Sequence, residues 1–315
     1  MEDSYPSRKQ IKPILATTAG ILFVSTASIL IRYAQQEAAS LVIAAGRLLV
    51  ASLVLLPIAL TGHRHEFKQL PRKALGKGIL SGLFLAIHFI SWITSLEYTS
   101  VASSVVLVTT TPLWVAIFSP LVLKEPVRKA VLIGLAVSIT GGVIVGLSNV
   151  CGFVDGRFIC QDSLFSSRAM IGNLLALVGA WMAAGYMMMG RQLRKQLSTV
   201  SYAALVYGVA ALILLIVVII RAEPVFSYSP QTYFWLLALG IIPQLLGHSL
   251  LNWSLEFISA AYVSLTLLGE PIGTIILAMI FLKENPTILE SLGAVLILVG
   301  IVIGSLRKSV RSSGA

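Results

Sequence analysis

Ten apolar runs, each close to the length needed to cross a lipid bilayer, take up most of this 315-residue sequence. They fall at about 13–31, 41–60, 77–96, 101–123, 129–148, 170–189, 201–220, 232–253, 259–282 and 287–306. A helical span needs about 20 predominantly apolar residues. These runs are built of Leu, Ile, Val, Ala and Gly without the period-two alternation of a transmembrane barrel. The pattern predicts an all-α membrane protein of ten transmembrane helices. Composition agrees: 57% of residues are hydrophobic, only 11% are charged and the mean hydropathy is +0.91, whereas soluble domains carry about 25% charged residues. A soluble enzyme is excluded.

The net charge of +10 does not point to nucleic acid, because the basic residues lie between apolar runs rather than on one polar domain. Seventeen of the 23 fall in segments on one side of the membrane, and five (Arg32, Arg157, Arg168, Arg221 and Lys283) on the other. Arg47 alone sits within a span. The positive-inside rule then places both termini in the cytoplasm of a multi-pass cell-membrane protein. The first run, after Arg8, Lys9 and Lys12, lacks a small-residue cleavage site and is read as a helix rather than a signal peptide. The two cysteines, Cys151 and Cys160, fall in the external loop, where an oxidising compartment favours a disulfide over two free thiols. The scattered histidines (His63, His65, His88 and His248) show no metal-ligand spacing, and no metal or other cofactor is expected.

The chain also repeats itself. At an offset of 159, Ser95-Leu96-Glu97 falls on Ser254-Leu255-Glu256, Pro112 on Pro271 and Leu123-Lys124-Glu125 on Leu282-Lys283-Glu284. Gly134 falls on Gly293, Gly141 on Gly300, Arg32 on Arg191 and Pro71 on Pro230 without a gap. Each half holds five helices, and five is odd, so the second half must enter the membrane from the opposite side. The expected architecture is two inverted five-helix repeats around a central cavity, with the binding site near the bilayer midplane. The expected segments are a cytoplasmic tail (1–12), a first repeat (13–148), an external loop (149–169), a second repeat (170–306) and a second cytoplasmic tail (307–315).

The Leu268-Gly269-Glu270-Pro271 start of the ninth helix and the Phe-Leu-Lys-Glu helix end at 281–284 carry a resemblance to a known family. With Gly293 and the Leu298-Val299-Gly300-Ile301 run, the chain from about 13 to 306 resembles the EamA branch of the drug/metabolite transporter superfamily. The resemblance implies a ten-helix bundle that exports or exchanges small metabolites, amino acids or drugs. The sequence departs from a symmetric pattern at one point: Thr110-Thr111-Pro112 stands where the second half has Gly269-Glu270-Pro271.

Ionisable groups within spans are costly and usually face the bundle interior. Two stand out, Arg47 and Glu270, and no aspartate falls in any span, which removes intramembrane aspartate-pair enzymes. Glu270 is expected to contact a cationic or zwitterionic substrate or to carry a coupling proton; the alternative is an ion pair with Arg47 that only fixes the helices. Tyr262, Thr266, Glu270 and Thr274 recur every four residues, as do Gln244, His248 and Asn252, while Ser81, His88 and Ser95 recur every seven with Trp92 one turn beyond His88. The substrate-binding candidates are therefore Glu270, His88, Trp92, Trp181, His248, Asn252, Tyr262, Thr266 and Arg47. For the histidines the alternative is an interhelical hydrogen bond; for Trp181, Trp114 and Trp92 it is packing. Gly142-x-x-x-Gly146 and Gly300-x-x-x-Gly304 permit close helix contact, within the chain or in a homodimer.

The expected function is secondary transport of a small organic substrate by alternating access, in a protein that is not an enzyme and whose partners are that substrate and the lipid bilayer. The rivals are an intramembrane enzyme using Glu270 with His88 or His248, and a non-transporting receptor or assembly subunit with a filled core.

Overall fold

Every backbone amide in a bilayer must find its partner within the protein, and the chain meets that demand with helices. The structure, a computed structural model, describes residues 8–99, 101–147, 151–154, 157–160, 167–281 and 288–305. The elements are α1 (Arg8–Val24), α2 (Ala27–Ala34), α3 (Ser40–Gly62), α4 (Arg64–Gln69), α5 (Arg72–Tyr98), α6 (Val101–Val108), α7 (Thr111–Val122) and α8 (Lys129–Leu147). A hairpin of β1 (Cys151–Val154) and β2 (Arg157–Cys160) follows. The rest is α9 (Ser167–Leu193), α10 (Thr199–Ile220), α11 (Pro230–Leu239), a π-helical segment (Gly240–His248), α12 (Ser249–Ser254), α13 (Ala260–Thr266), a 3₁₀ turn (Leu267–Gly269), α14 (Glu270–Phe281) and α15 (Ile288–Ser305).

Among the described residues, seven helical stretches are long and apolar enough to cross a membrane: Lys12–Ala34, Ser40–Gly62, Arg72–Tyr98, Met170–Leu193, Thr199–Ile220, Pro230–Ser254 and Ala260–Phe281. Three shorter apolar helices, Thr111–Val122, Lys129–Ile144 and Ser291–Gly304, occupy the other expected runs. The fourth run is short because it is divided. The Thr110 hydroxyl donates to the Leu107 carbonyl at 2.7 Å and the Thr111 hydroxyl to Val108 at 2.7 Å. These bonds compete with the helix ladder just before Pro112, which has no amide to offer. A similar break parts α1 from α2, where Ser25 donates to Ile21 at 2.8 Å and Thr26 to Phe23 at 2.7 Å. The Lys283-Glu284 motif and both tails beyond residues 8 and 305 lie outside the described residues. In the hairpin the backbones of Cys151 and Cys160 stand opposite each other in register, while their side chains also lie outside the described set.

Lipid is as apolar as leucine, so helices in it associate through close packing and polar contacts rather than by hydrophobic expulsion. The main pairings are α8 with α15, α5 with α9, α3 with α10, and α1 with the π segment and α12. At the first, a Cβ built on Gly134 would lie 2.4 Å from the Gly300 carbonyl oxygen, and one on Gly141 would lie 2.5 Å from that of Gly293. Pairing 134 with 300 and 141 with 293 makes the two helices antiparallel. Between these points Ser138 donates to the Ile297 carbonyl at 3.2 Å. The contact thus lies within the chain and runs through Gly134 and Gly141, a different register from the Gly142-x-x-x-Gly146 pattern.

Equivalent contacts recur 159 residues apart. A Cβ on Gly20 would meet Leu251 and the Gly247 carbonyl at 3.1–3.2 Å, and one on Gly179 would meet Trp92 and the His88 carbonyl at 3.3–3.5 Å. At the ends, Gln35 Nε2 donates to the Ile93 carbonyl at 3.0 Å, and Arg194 Nε donates to the Asn252 carbonyl at 3.2 Å. The connectors are tied by carboxylates. Glu66 accepts from the Ser198 amide at 2.7 Å, and Glu37 accepts from the Ser229 amide at 2.9 Å and the Thr232 hydroxyl at 2.8 Å. The Ser229 amide bond, reinforced by Thr232, holds the Glu37 carboxyl below the usual carboxylate range. Outward-facing leucines and isoleucines such as Leu53, Leu121 and Ile219 remain exposed for lipid.

The α8–α15 contact leaves no room for side chains. Gly134→Val and Gly141→Val are each expected to lower stability by about 1–3 kcal/mol or more, read as a fall in Tm of the detergent-solubilised protein, whereas Gly76→Val, which meets no atom within 4 Å, should not.

Candidate functional site

A cavity lies between the two halves of the chain, with ≈ 760 Å³ of atom-free space when its opening to solvent is included. Its walls come from positions 159 residues apart: Val24 and Ala183, Ala27 and Tyr186, Trp92 and Leu251, Val108 and Leu267, and Thr111 and Glu270 all line it. Phe89 and His248, also 159 apart, touch each other edge to face with ring centroids at 5.5 Å.

Six of the nine sequence-expected site residues line this space: Arg47, His88, Trp92, His248, Asn252 and Glu270. Arg47, on α3, is fully buried. Its Nε donates to Gln244 Oε1 at 2.8 Å and its guanidinium carbon lies 4.0 Å above the centroid of Phe89. The Gln244 side chain reaches it from the π-helical segment, where Pro243 lacks an amide and the backbone widens into i→i+5 turns. His88, on α5, donates from Nδ1–H to the Gly179 carbonyl at 2.9 Å, because a carbonyl can only accept, and its ring stacks on Trp92 at 6.0 Å. The interhelical bond and the cavity position thus coexist. Glu270 opens α14 directly after the 3₁₀ turn, and its own carbonyl accepts from Ser25 at 3.3 Å. Among the described residues no ion pair joins Glu270 to Arg47 within 4.0 Å, and the two opposite charges face the same cavity from a greater separation.

Three expected residues lie elsewhere. Trp181 is 44% exposed and packs edge-on against Trp114 at 5.2 Å, on the outer surface of α9 and α7. Tyr262 and Thr266 are not cavity-lining; the Thr266 hydroxyl donates to the Val263 carbonyl of its own helix at 2.7 Å. Their stripe with Glu270 presumed an unbroken α-helix, and the 3₁₀ turn at Leu267–Gly269, with three residues per turn, changes the phase so that Val263 and Leu267 face the cavity instead. Thr274, the last of the stripe, donates to the Ser25 carbonyl at 3.2 Å.

Sequence reasoning missed Tyr186 and Thr111. The offset held the signal, since Tyr186 is the counterpart of Ala27 and Thr111 that of Glu270. Tyr186 donates to Asn252 Oδ1 at 2.7 Å, and Asn252 Nδ2 donates to the Tyr207 hydroxyl at 3.0 Å. All three are buried, so one amide satisfies two phenols of α9 and α10 from α12. Among the described residues no three His, Cys, Asp or Glu side chains lie close enough to hold a metal ion.

The family model for the EamA-like transporter family matches twice, over residues 11–147 and 170–306. An "Uncharacterized transporter" of Clostridium kluyveri is 24% identical over 257 residues, 81% of this chain and 80% of that protein. The "Uncharacterized transporter YetK" of Bacillus subtilis is 23% identical over 308 residues, 96% of this chain and 89% of that protein. A solved crystal structure superposes with a TM-score of 0.73 at 18% identity, covering 93% of this chain and 96% of that one, and so shares the fold.

The Asn252 hub has a measurable stake in stability. Asn252→Leu keeps the volume but strands the Tyr186 and Tyr207 hydroxyls, and should cost on the order of 2 kcal/mol, seen as a lower Tm; adding Tyr186→Phe and Tyr207→Phe should recover part of the loss.

Proposed function

The chain belongs to the EamA-like transporter family, and we propose that this multi-pass membrane protein is a secondary transporter, an exporter or exchanger, that carries a small organic metabolite by alternating access. The observation that carries this reading is the central cavity itself, walled by equivalent positions of the two family-model matches and furnished with Arg47, Glu270, His88, His248 and Asn252. The rival reading of a non-transporting receptor or assembly subunit predicts a filled core, so the space favours transport.

In this reading the bundle has ten spans in two inverted repeats, 13–148 and 170–306, with 149–169 as an external loop and 1–12 and 307–315 as cytoplasmic tails. The antiparallel crossing of α8 and α15 supports it, because 134–300 and 293–141 are one contact with its partners exchanged. So do the matched pairs Gly20–Leu251 and Gly179–Trp92, and the self-paired Phe89–His248 and Ser138–Ile297, each 159 residues apart. A two-fold axis in the membrane plane would generate all of them. The breaks before Thr111-Pro112 and Glu270-Pro271 fall at matched positions beside the cavity and serve as the bending points. Cysteine labelling should find substituted positions in 61–76, 124–128 and 190–200 accessible from the cytoplasm and 149–168 from outside the cell membrane; a cytoplasmic 149–168 loop overturns the inverted arrangement.

Glu270 is the central charged site residue of the mechanism, as a substrate contact or the carrier of a coupling proton. Transport is tested in proteoliposomes by counterflow against amino acids, organic acids, amines, nucleosides and sugars. At least one class should exchange, and Glu270→Gln should fold but lower the rate at least about tenfold, the size of effect expected from losing one charged contact of about 1.5–3 kcal/mol, or abolish its pH dependence. No exchange with any compound overturns the transporter reading; wild-type rate and pH profile in Glu270→Gln remove Glu270 from it.

A further inference from the structure

The Arg47 guanidinium is a costly group to hold inside a protein. It is fully buried on α3, and two of its three nitrogens, Nη1 and Nη2, have no hydrogen-bond partner. A buried cation normally carries a paired anion, and removing one leaves a penalty of several kcal/mol. Here the direct contacts are neutral, the Gln244 amide oxygen at 2.8 Å on Nε and the Phe89 ring at 4.0 Å beneath the guanidinium carbon, and the Glu270 carboxylate acts on it only across the cavity, beyond ion-pair distance. These contacts fix the plane of the group. With Nε tied and the Phe89 ring under one face, the two free nitrogens form a fork beside the cavity that Arg47 lines. The approach is deliberate in the backbone too, since a Cβ on Gly240, the first residue of the π segment, would lie 2.4 Å from Val50 Cβ and 3.1 Å from the Arg47 carbonyl oxygen. Only glycine lets α3 and the Gln244-bearing segment come this close.

The unpartnered polar atoms of the cavity wall share one character. Arg47 Nη1, Arg47 Nη2 and Trp92 Nε1 are all buried, all without partners and all donors. No acceptor of the wall meets them: the Glu270 carboxylate lines the same cavity but lies beyond ion-pair distance of Arg47. Two parallel N–H groups of a planar guanidinium match the paired oxygens of a carboxylate or of a phosphate, and on a wall with one guanidinium facing the Glu270 carboxylate the single charge of a carboxylate is balanced better than the double charge of a phosphate.

From this donor excess we infer that the cavity selects substrates bearing a carboxylate, which Arg47 binds bidentately while Gln244 and Phe89 act as positioning residues that hold its plane. The inference rests on the transporter reading and assigns its substrate class. Arg47 is the specificity-determining residue, and the arginine is retained unpaired because its counter-ion arrives with the cargo. Glu270 lines the same cavity, so an α-amino acid and a plain carboxylic acid are two sources of the same recognised group; the amino acid adds an ammonium for Glu270.

The test is a thermal-shift titration of the purified full-length protein with the twenty L-amino acids, their carboxamides, the amines obtained by decarboxylation and the acids obtained by deamination. Stabilising compounds should be confined to those with a free carboxylate, and each should lose at least tenfold in apparent affinity when that group becomes an amide. Stabilisation by the deaminated acids identifies organic acids as the source, and stabilisation by amino acids alone identifies zwitterions. Arg47→Met should abolish the carboxylate-dependent shift while leaving the ligand-free Tm unchanged or raised, because it removes an unpaired buried charge; a purely structural arginine would lower it. Arg47→Lys keeps the charge without the fork and should weaken binding without restoring the wild-type preference for carboxylate over amide. Where Arg47→Met fails to fold, the wild-type acid-against-amide series stands alone. Amines or amides binding as well as carboxylates, no compound binding, or a folded Arg47→Met with wild-type carboxylate affinity would each overturn the inference. Counterflow separates the two levels: exchange of amines alone refutes the carboxylate site and leaves the transporter standing, whereas no exchange of any compound refutes the transporter.

Discussion

Backbone-to-backbone contact at small residues is the constraint on which this molecule rests. In lipid no solvent squeezes apolar helices together, so cohesion depends on how closely they approach and on the polar groups they share. Gly134 and Gly141 on α8, Gly300 and Gly293 on α15, Gly20 on α1 and Gly179 on α9 bring main chains to touching distance. Serine hydroxyls work at the same seams, Ser138 on the Ile297 carbonyl and Thr17 on Ser254 at 3.0 Å. Because each seam has an equivalent 159 residues away, the cavity between the halves is fixed by two sets of matched supports and not by any single helix.

Within that frame the polar side chains separate into two kinds. Some are saturated: Asn252 holds two tyrosines, His88 holds the Gly179 carbonyl, and Arg194 binds the Leu197 and Asn252 carbonyls and the Glu256 carboxylate near the connector. Burial of the Arg194 guanidinium draws its pKa down, and the nearby Glu256 carboxylate opposes that. Arg47 is of the other kind, buried within a span with donors to spare, although a saturated and equally little-exposed arginine stands at the connector of the same chain. The contrast between Arg194 and Arg47 shows that this fold can satisfy a guanidinium where structure alone is at stake.

Much of this was legible in the residues. Apolar run lengths located the helices, and the ungapped offset equated the positions whose contacts recur in the two halves. Ionisable character within a span singled out Arg47 and Glu270, and helical spacing singled out His88, Trp92, His248 and Asn252; all six line the cavity. What could not be read was helix phase. Periodicity arguments assume 3.6 residues per turn, and this chain departs from that at Thr109–Thr111, Leu267–Gly269 and Gly240–His248. Tyr262 and Thr266 were misplaced for that reason. Trp181 was misplaced for another: depth does not say which way a ring points, and an outward tryptophan within a span looks the same in sequence as an inward one.

The π-helical segment carries a consequence for how such chains diverge. Residues 240–248 correspond by the offset to 81–89, which are ordinary α-helix within α5. Both stretches have the same number of residues, so the two helices differ in winding without differing in residue count. A wider turn yields less rise per residue, and the surplus is absorbed where Gln244 reaches across to Arg47. Two copies of a duplicated segment have thus become mechanically distinct with no insertion or deletion, and an alignment of one against the other would run through the difference without opening a gap.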